Sequence, residues 1–250
     1  MRTTRQRIFA PLLALSLTLA AQQAAFGQAT STPNRKANVA KANAESSWFK
    51  QLAMQQGTLT NSRFDVVFIG DSLTEFWTST GKTSWSEQFA PLKCANCGIA
   101  GDRTENILHR IKSLDFRRAA PRAFVVLMGT NNLGMENPDK PEDVARAALA
   151  ATQQLAKRHP QSRILLLGIP PSGVAGQTPL RTSIKQTNEL LAKSSLPTQA
   201  TFVPTYEIFA DEADAWRDGL TLDGTHFSPA GYAKLANLLA PKLKEMLSVK

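Results

Sequence analysis

A serine hydroxyl is a weak nucleophile until a neighbouring base takes its proton, and that base is commonly an imidazole steadied by a carboxylate. The sequence offers material for this chemistry in Gly70-Asp71-Ser72-Leu73 and in Asp223-Gly224-Thr225-His226. Only three histidines could serve as the base. His109 falls in a helical stretch beside Arg110, where packing or solvent contact suits it. His159 stands before Pro160 at a helix end, where a cation suits the helix dipole and solvent. His226 alone falls in a loop, three residues after Asp223. That spacing lets the carboxylate receive the Nδ1 proton and leaves Nε2 for Ser72. Each of these residues also has a plainer reading: Ser72 as a helix N-cap, and Asp223-Gly224 as a turn.

Elements must bring these residues together. Near-continuous apolar runs over residues 65–70, 93–98, 123–129, 163–169 and 200–203 predict strands buried on both faces. Amphipathic patterns between them predict helices over 103–112 and 182–193, and another led by Pro141 with Val144, Ala148, Ala151 and Leu155 on one face. A final helix opens with Ser228 as N-cap and aligns Tyr232, Leu235, Leu239 and Leu243. A short helix is expected over 46–54, with Trp48, Leu52 and Phe49 facing inward. Such alternation implies a parallel sheet with helices on both faces, an α/β fold of three layers. Ligands of such sheets bind at the carboxyl ends of the strands. There the sequence delivers Ser72, then Gly98-Ile99-Ala100-Gly101-Asp102, then Gly129-Thr130-Asn131-Asn132, with the His226 loop before the last helix.

Composition narrows the class. The chain has 250 residues, 42% of them hydrophobic and 20% charged, which suits one large globular domain. Arg2, Arg5 and Arg7 precede an apolar stretch at residues 8–21, and Ala25 and Gly27 stand at the −3 and −1 positions of a cleavage site before Gln28. The expected organisation is a signal peptide over 1–27, a lead-in with a short helix over 28–60 and the folded domain over 61–250. The mature chain is then periplasmic or extracellular. Losing the three leader arginines lowers the formal charge from +9 to +6. The remaining basic residues are scattered, so nucleic acid is not an expected partner, and no bilayer span is expected after the leader. Cys94 and Cys97 fall in the second strand, where residues three apart point to opposite faces, so they are read as structural, with a strained local disulfide as the alternative.

The stretches FIGDSL, NCGIAGDRT, VVLMGTNN and DGTHFSPAGY, in this order on four strand ends or loops, resemble the signature blocks of the SGNH hydrolases, the GDSL esterase/lipase family. The branch with platelet-activating-factor acetylhydrolase subunits and bacterial carbohydrate esterases is the most similar. The resemblance implies a doubly wound, five-stranded, flavodoxin-like parallel sheet. It implies a catalytic set of Ser72, His226 and Asp223, and an oxyanion hole formed by the backbone N–H groups of Ser72 and Gly101 and the side-chain amide of Asn131. No metal or cofactor is implied. Asn132 replaces the aspartate common in the third block, and Cys97 replaces a larger apolar residue. Asp71 and Asp102 are read as holding turns through side-chain bonds to backbone. Phe76 and Trp77 could rim the site, and Trp77 and Thr130 are the expected substrate contacts. The activity expected is that of an exported serine esterase acting on small acyl esters, acetyl above all, on carbohydrate. The alternatives are a lipid-directed acetylhydrolase, lysophospholipase or thioesterase, a polysaccharide O-acetyltransferase, and a carbohydrate-binding module without catalysis.

Overall fold

Every strand of the molecule runs parallel, so each connection must cross over a face of the sheet and place helices there. The computed structural model describes Ala37, residues 39–173 and residues 178–248. The expected leader and cleavage site lie outside the described residues. The strands are β1 Val66–Gly70, β2 Cys94–Gly98, β3 Ala123–Leu127, β4 Arg163–Leu167 and β5 Ala200–Val203, in the order β2-β1-β3-β4-β5. The helices are α1 Ser46–Asn61, α2 Ser72–Glu75, α3 Lys82–Ser84, α4 Thr104–Ser113, α5 Thr130–Gly134, α6 Pro141–Arg158, α7 Thr178–Ala192, α8 Tyr206–Phe209 and α9 Pro229–Ser248. This is the expected five-stranded, flavodoxin-like three-layer fold.

Alternation along β1 divides the core in two. Val67 and Ile69 join Leu59 of α1, Ile107 and Ile111 of α4, and Ala148 and Leu155 of α6 on one face. Val66 and Phe68 join Trp77, Phe89 and the α9 residues Tyr232, Leu235, Leu239 and Leu243 on the other. The Ser228 hydroxyl accepts from the Gly231 N–H at 3.0 Å and so opens α9 as its sequence predicts.

The lead-in is more than a lead-in. Helix α1 continues past Met54 to Asn61, with Trp48 and Leu59 buried and Leu52 half-buried. Phe49, expected to face inward, is 49% exposed instead. Gly98 closes β2, where an added Cβ would lie 2.1 Å from the Glu75 backbone nitrogen. Its smallness lets α2 sit down on the end of β2.

Candidate active site

Strand β1 ends at Gly70, and the chain turns at once into α2. Asp71, not Ser72, is the N-cap: its Oδ1 accepts from the Leu73 N–H at 3.0 Å. This leaves the Ser72 hydroxyl uncommitted to the helix, 2.9 Å from His226 Nε2. His226 Nδ1 lies 2.7 Å from Asp223 Oδ2. An ionised carboxylate can only accept, so Nδ1 carries the proton and Nε2 presents its lone pair to Ser72.

The loop that carries His226 is pinned on three sides. Asp223 Oδ1 accepts from the backbone N–H groups of Thr225 at 2.9 Å and His226 at 2.7 Å. The His226 carbonyl accepts from the Leu222 N–H and the Thr221 hydroxyl, both at 2.9 Å. Gly224, at φ +83°, takes the left-handed conformation the turn needs, and its carbonyl accepts from Trp216 Nε1 at 2.8 Å. The turn reading and the catalytic reading of D-G-T-H therefore hold together. Burial pushes the Asp223 carboxyl up, but the donors from the His226 ring and the two backbone N–H groups outweigh it and hold it below its ordinary value. The Phe76 ring lies 5.2 Å from the imidazole, tilted by 43°.

The three expected oxyanion donors stand just past the carboxyl ends of the adjacent strands β1, β2 and β3. Gly101 is exposed at φ +77°, with open space where a Cβ would stand. Neither the Ser72 nor the Gly101 backbone N–H donates to an acceptor among the described residues. Asn131 is half-buried, and Nδ2 gives one of its two hydrogens to the Asp102 carbonyl at 2.9 Å. The other hydrogen remains for a ligand. Arg103 Nη1 donates to the Asn131 carbonyl at 3.0 Å, so both ends of that residue are tied.

Some expectations need correction. Trp77 is no rim residue: it is 2% exposed and packs against Phe68, Trp85, Phe89 and Tyr232. The larger ring belongs to the core because its strand-facing neighbours form an aromatic cluster, and Phe76 borders the imidazole instead. Thr130 is 4% exposed, and its Oγ1 is enclosed without a hydrogen-bond partner among the described residues, which gives it no open face toward substrate. His159 is no solvated cation: it packs 5.4 Å from Phe116 and 5.1 Å from Phe124, and burial lowers its pKa. Asp102 is structural, but through side chains rather than backbone: it accepts from Trp48 Nε1 and Arg110 Nε, both at 2.7 Å. Cys94 and Cys97 are free thiols, pushed up to about 12 chiefly by burial.

Sequence reasoning missed a set of anchors. Asn132 accepts from the Thr104 N–H at 2.8 Å and donates to Thr104 Oγ1 and Glu105 Oε2 at 3.0 and 3.1 Å, which locks α5 to the start of α4. Asp139 accepts from both Asn132 Nδ2 and Arg103. Arg110, fully buried, was passed over as a neighbour of His109. Its signal was available, because it stands three residues after Ile107 and one before Ile111, on the apolar face of α4.

Fold and site together define a hydrolase of the SGNH type. The GDSL-like lipase/acylhydrolase family model matches residues 68–234, and the chain belongs to that family. Human platelet-activating factor acetylhydrolase IB subunit alpha2 is 34% identical over 185 residues, 73% of this chain and 77% of that one. The human alpha1 subunit is 33% identical over 189 residues, 74% and 77% of the two chains. A GDSL-like lipase from Bacteroides thetaiotaomicron superposes with a TM-score of 0.65 at 19% identity, covering 79% of this chain and 97% of that one. An acetylxylan esterase from Geobacillus stearothermophilus superposes with a TM-score of 0.56 at 18% identity, covering 71% and 93%. The chain is accordingly an acylhydrolase of the ester-cleaving serine class.

Proposed function

We propose that the protein is an exported esterase that removes small acyl groups, acetyl above all, from carbohydrate. The observation that carries the esterase reading is the unbroken relay from Ser72 through His226 to Asp223 at 2.9 and 2.7 Å. In the first step Ser72 Oγ bonds to the acyl carbon while its proton passes to His226 Nε2. The carbonyl π electrons move onto oxygen, where the N–H groups of Ser72, Gly101 and Asn131 receive them. The ester C–O bond then breaks, and the leaving alkoxide takes the proton from Nε2. Water, deprotonated by the same nitrogen, attacks the acyl-serine and releases the acid and free Ser72. Asp223 keeps its place throughout, holding Nδ1–H and balancing the imidazolium.

Exposure at the site supports a short acyl group: Gly101 is exposed, and the side chains of His226 and Asp223 are 28% and 54% exposed. A long acyl chain needs an enclosed apolar wall to bury its methylenes, at about 0.8 kcal/mol each. An acetyl group on a polymer needs only a shallow approach. The lipid reading is the second, favoured by the names of the 33–34% identical relatives. No helix among the described residues is long and apolar enough to cross a membrane. Export rests on the basic start and apolar run of residues 1–27, and the N-terminal residue of the mature protein tests it.

A panel of 4-nitrophenyl esters from acetate to palmitate, run beside acetylated xylan and a short-chain acetylated phospholipid, separates the readings. The expected result is steep preference for acetate with acetate release from xylan. Rising kcat/KM with chain length overturns it, and phospholipid turnover without release from xylan transfers the assignment to the lipid reading.

A further inference from the structure

Arg110 is a cation without solvent: its side chain is fully buried, in contact with three separate chain segments of the catalytic edge. Nη2 donates to the Gly70 carbonyl at 2.7 Å, at the end of β1 and two residues before Ser72. Nη1 donates to the Cys97 carbonyl at 2.5 Å, near the end of β2. Nε donates to Asp102 Oδ2 at 2.7 Å, and Asp102 directly follows Gly101. The Asp102 carbonyl in turn holds the Asn131 amide at 2.9 Å. One guanidinium thus touches the segments that carry the Ser72 and Gly101 donors and reaches the Asn131 amide through Asp102.

The remaining Asp102 oxygen, Oδ1, is held from elsewhere in the chain. Trp48 Nε1 of α1 donates to it at 2.7 Å, across 54 residues of sequence. The indole is 2% exposed and lies against the Phe49 and His109 rings. Gln55, about two helical turns further along α1, donates to the Gly98 carbonyl at 2.9 Å. A buried ion pair is a poor source of net stability, since apolar groups of the same shape commonly serve as well. What it supplies here is direction. Donors act on an oxyanion only when aimed at its position, and small misplacements cost large factors in rate.

We infer that α1 is part of the catalytic apparatus, with Trp48 and Arg110 as positioning residues that fix the oxyanion donors through Asp102. The inference rests on the esterase reading of Ser72. Trp48 holds Oδ1 while Arg110 holds Oδ2, so the Asp102 side chain is anchored through both oxygens and tethers the backbone whose carbonyl holds the Asn131 amide. Helix α1 lies before residue 68, where the family match begins.

The test is Trp48→Phe, which deletes the N–H and keeps an aromatic ring, beside Trp48→Leu, which deletes both. Steady-state kinetics on 4-nitrophenyl acetate and thermal melts are measured for the full mature chain. The expected result is a five- to thirtyfold fall in kcat for both variants, with KM within twofold of the parent. Both variants should melt lower, Trp48→Leu by more because it also loses the ring, while kcat falls alike in the two. If Trp48→Phe keeps the parent kcat, or if activity falls only in step with Tm, α1 is packing and the inference is overturned. A change confined to KM overturns it too, by making Trp48 part of the substrate wall. An inert parent chain would remove the esterase reading itself, whereas an active parent with an unaltered Phe variant removes this inference alone.

Discussion

Asp223 and Asp102 each hold a ring or guanidinium nitrogen at 2.7 Å, and both serve the surroundings of Ser72. Their settings are opposite. The Asp223 side chain is 54% exposed and its partner His226 28%, while Asp102 and Arg110 are both at 0%. In the proposed mechanism the exposed pair contains the group that gains and loses a proton in each turnover, and nearby water eases that change of charge. The sealed pair is bonded to the segments that carry the proposed oxyanion donors, which that mechanism needs to stay in place. Burial strengthens its electrostatics, at the cost that neither partner can be removed alone.

The largest expected effect falls between the two regions. Ser72→Ala should reduce ester hydrolysis on the order of a thousandfold or more, with an unchanged melt, because the hydroxyl makes no bond besides that to His226. Near-parent turnover in a clean preparation would remove the nucleophile assignment. Stability separates the pairs next. Asp102→Ala leaves the Arg110 charge buried and uncompensated, so urea unfolding should lose about 3–5 kcal/mol. Asp223→Ala, at the surface but with two backbone N–H bonds to lose, should lose about 1 kcal/mol. Equal losses would erase the contrast.

Catalysis should rank the same regions differently. Asn131→Ala should lower kcat on the order of a hundredfold and leave KM nearly unchanged, since its free hydrogen acts on the oxyanion. A change in KM alone would make it a binding residue. Asp223→Asn should cost at least as much as Asp223→Ala, because an amide can hold the imidazole in the wrong tautomer. Exposure limits both losses. Water can take the place of the missing carboxylate, so the expected fall is on the order of ten- to a hundredfold, short of the roughly ten-thousandfold typical of a buried triad acid. A larger loss for Ala than for Asn would mean the carboxylate holds the loop rather than the tautomer.

The sheet and the Asp223–His226 pair were legible in the sequence because each rests on local signals, whereas Ser72, 154 residues before His226, was joined to that pair by the order of the signature blocks. Strand runs such as 65–70 are apolar on both faces, and Asp223 and His226 lie in one turn. What escaped was long-range and shape-dependent. The Trp48–Asp102 bond spans 54 residues, and no periodicity encodes it. Trp77 could not be told from a rim residue until Phe68, Phe89 and Tyr232 were seen to enclose it. The same holds for His159, whose helix-end position suggested solvent while Phe116 and Phe124 supplied a pocket. Arg110 was the exception, since an arginine on an apolar helix face is a sequence signal in itself.

A third aspartate sharpens the contrast because it has burial without a direct cation partner. Asp71 is fully buried, its Oδ1 is taken by the Leu73 N–H, and its Oδ2 has no partner among the described residues. Burial pushes its carboxyl up to about 7 from 3.8, against the pull of that backbone bond; Asp102 adds to the rise, and His226 and Arg110 oppose it. Between about pH 4 and pH 7 the folded protein therefore keeps a proton that the unfolded chain has released, so raising pH over that window favours unfolding. Above about pH 7 both states are ionised and the penalty stays constant. Asp71→Asn cannot ionise, keeps an oxygen for the Leu73 N–H, and lacks this slope. Its own cost, an amide hydrogen placed where Oδ2 stood, does not change with pH. Relative to the variant, the parent should thus lose a few degrees of Tm between pH 4.5 and pH 8, whichever protein melts higher at the start. The carboxyls held below their ordinary value, such as Asp223 and Asp214, act in the opposite direction and at lower pH, and they are common to both proteins. Two melting curves that run parallel from pH 4.5 to pH 8 would mean that Asp71 is ionised in the fold and that an unseen partner satisfies Oδ2.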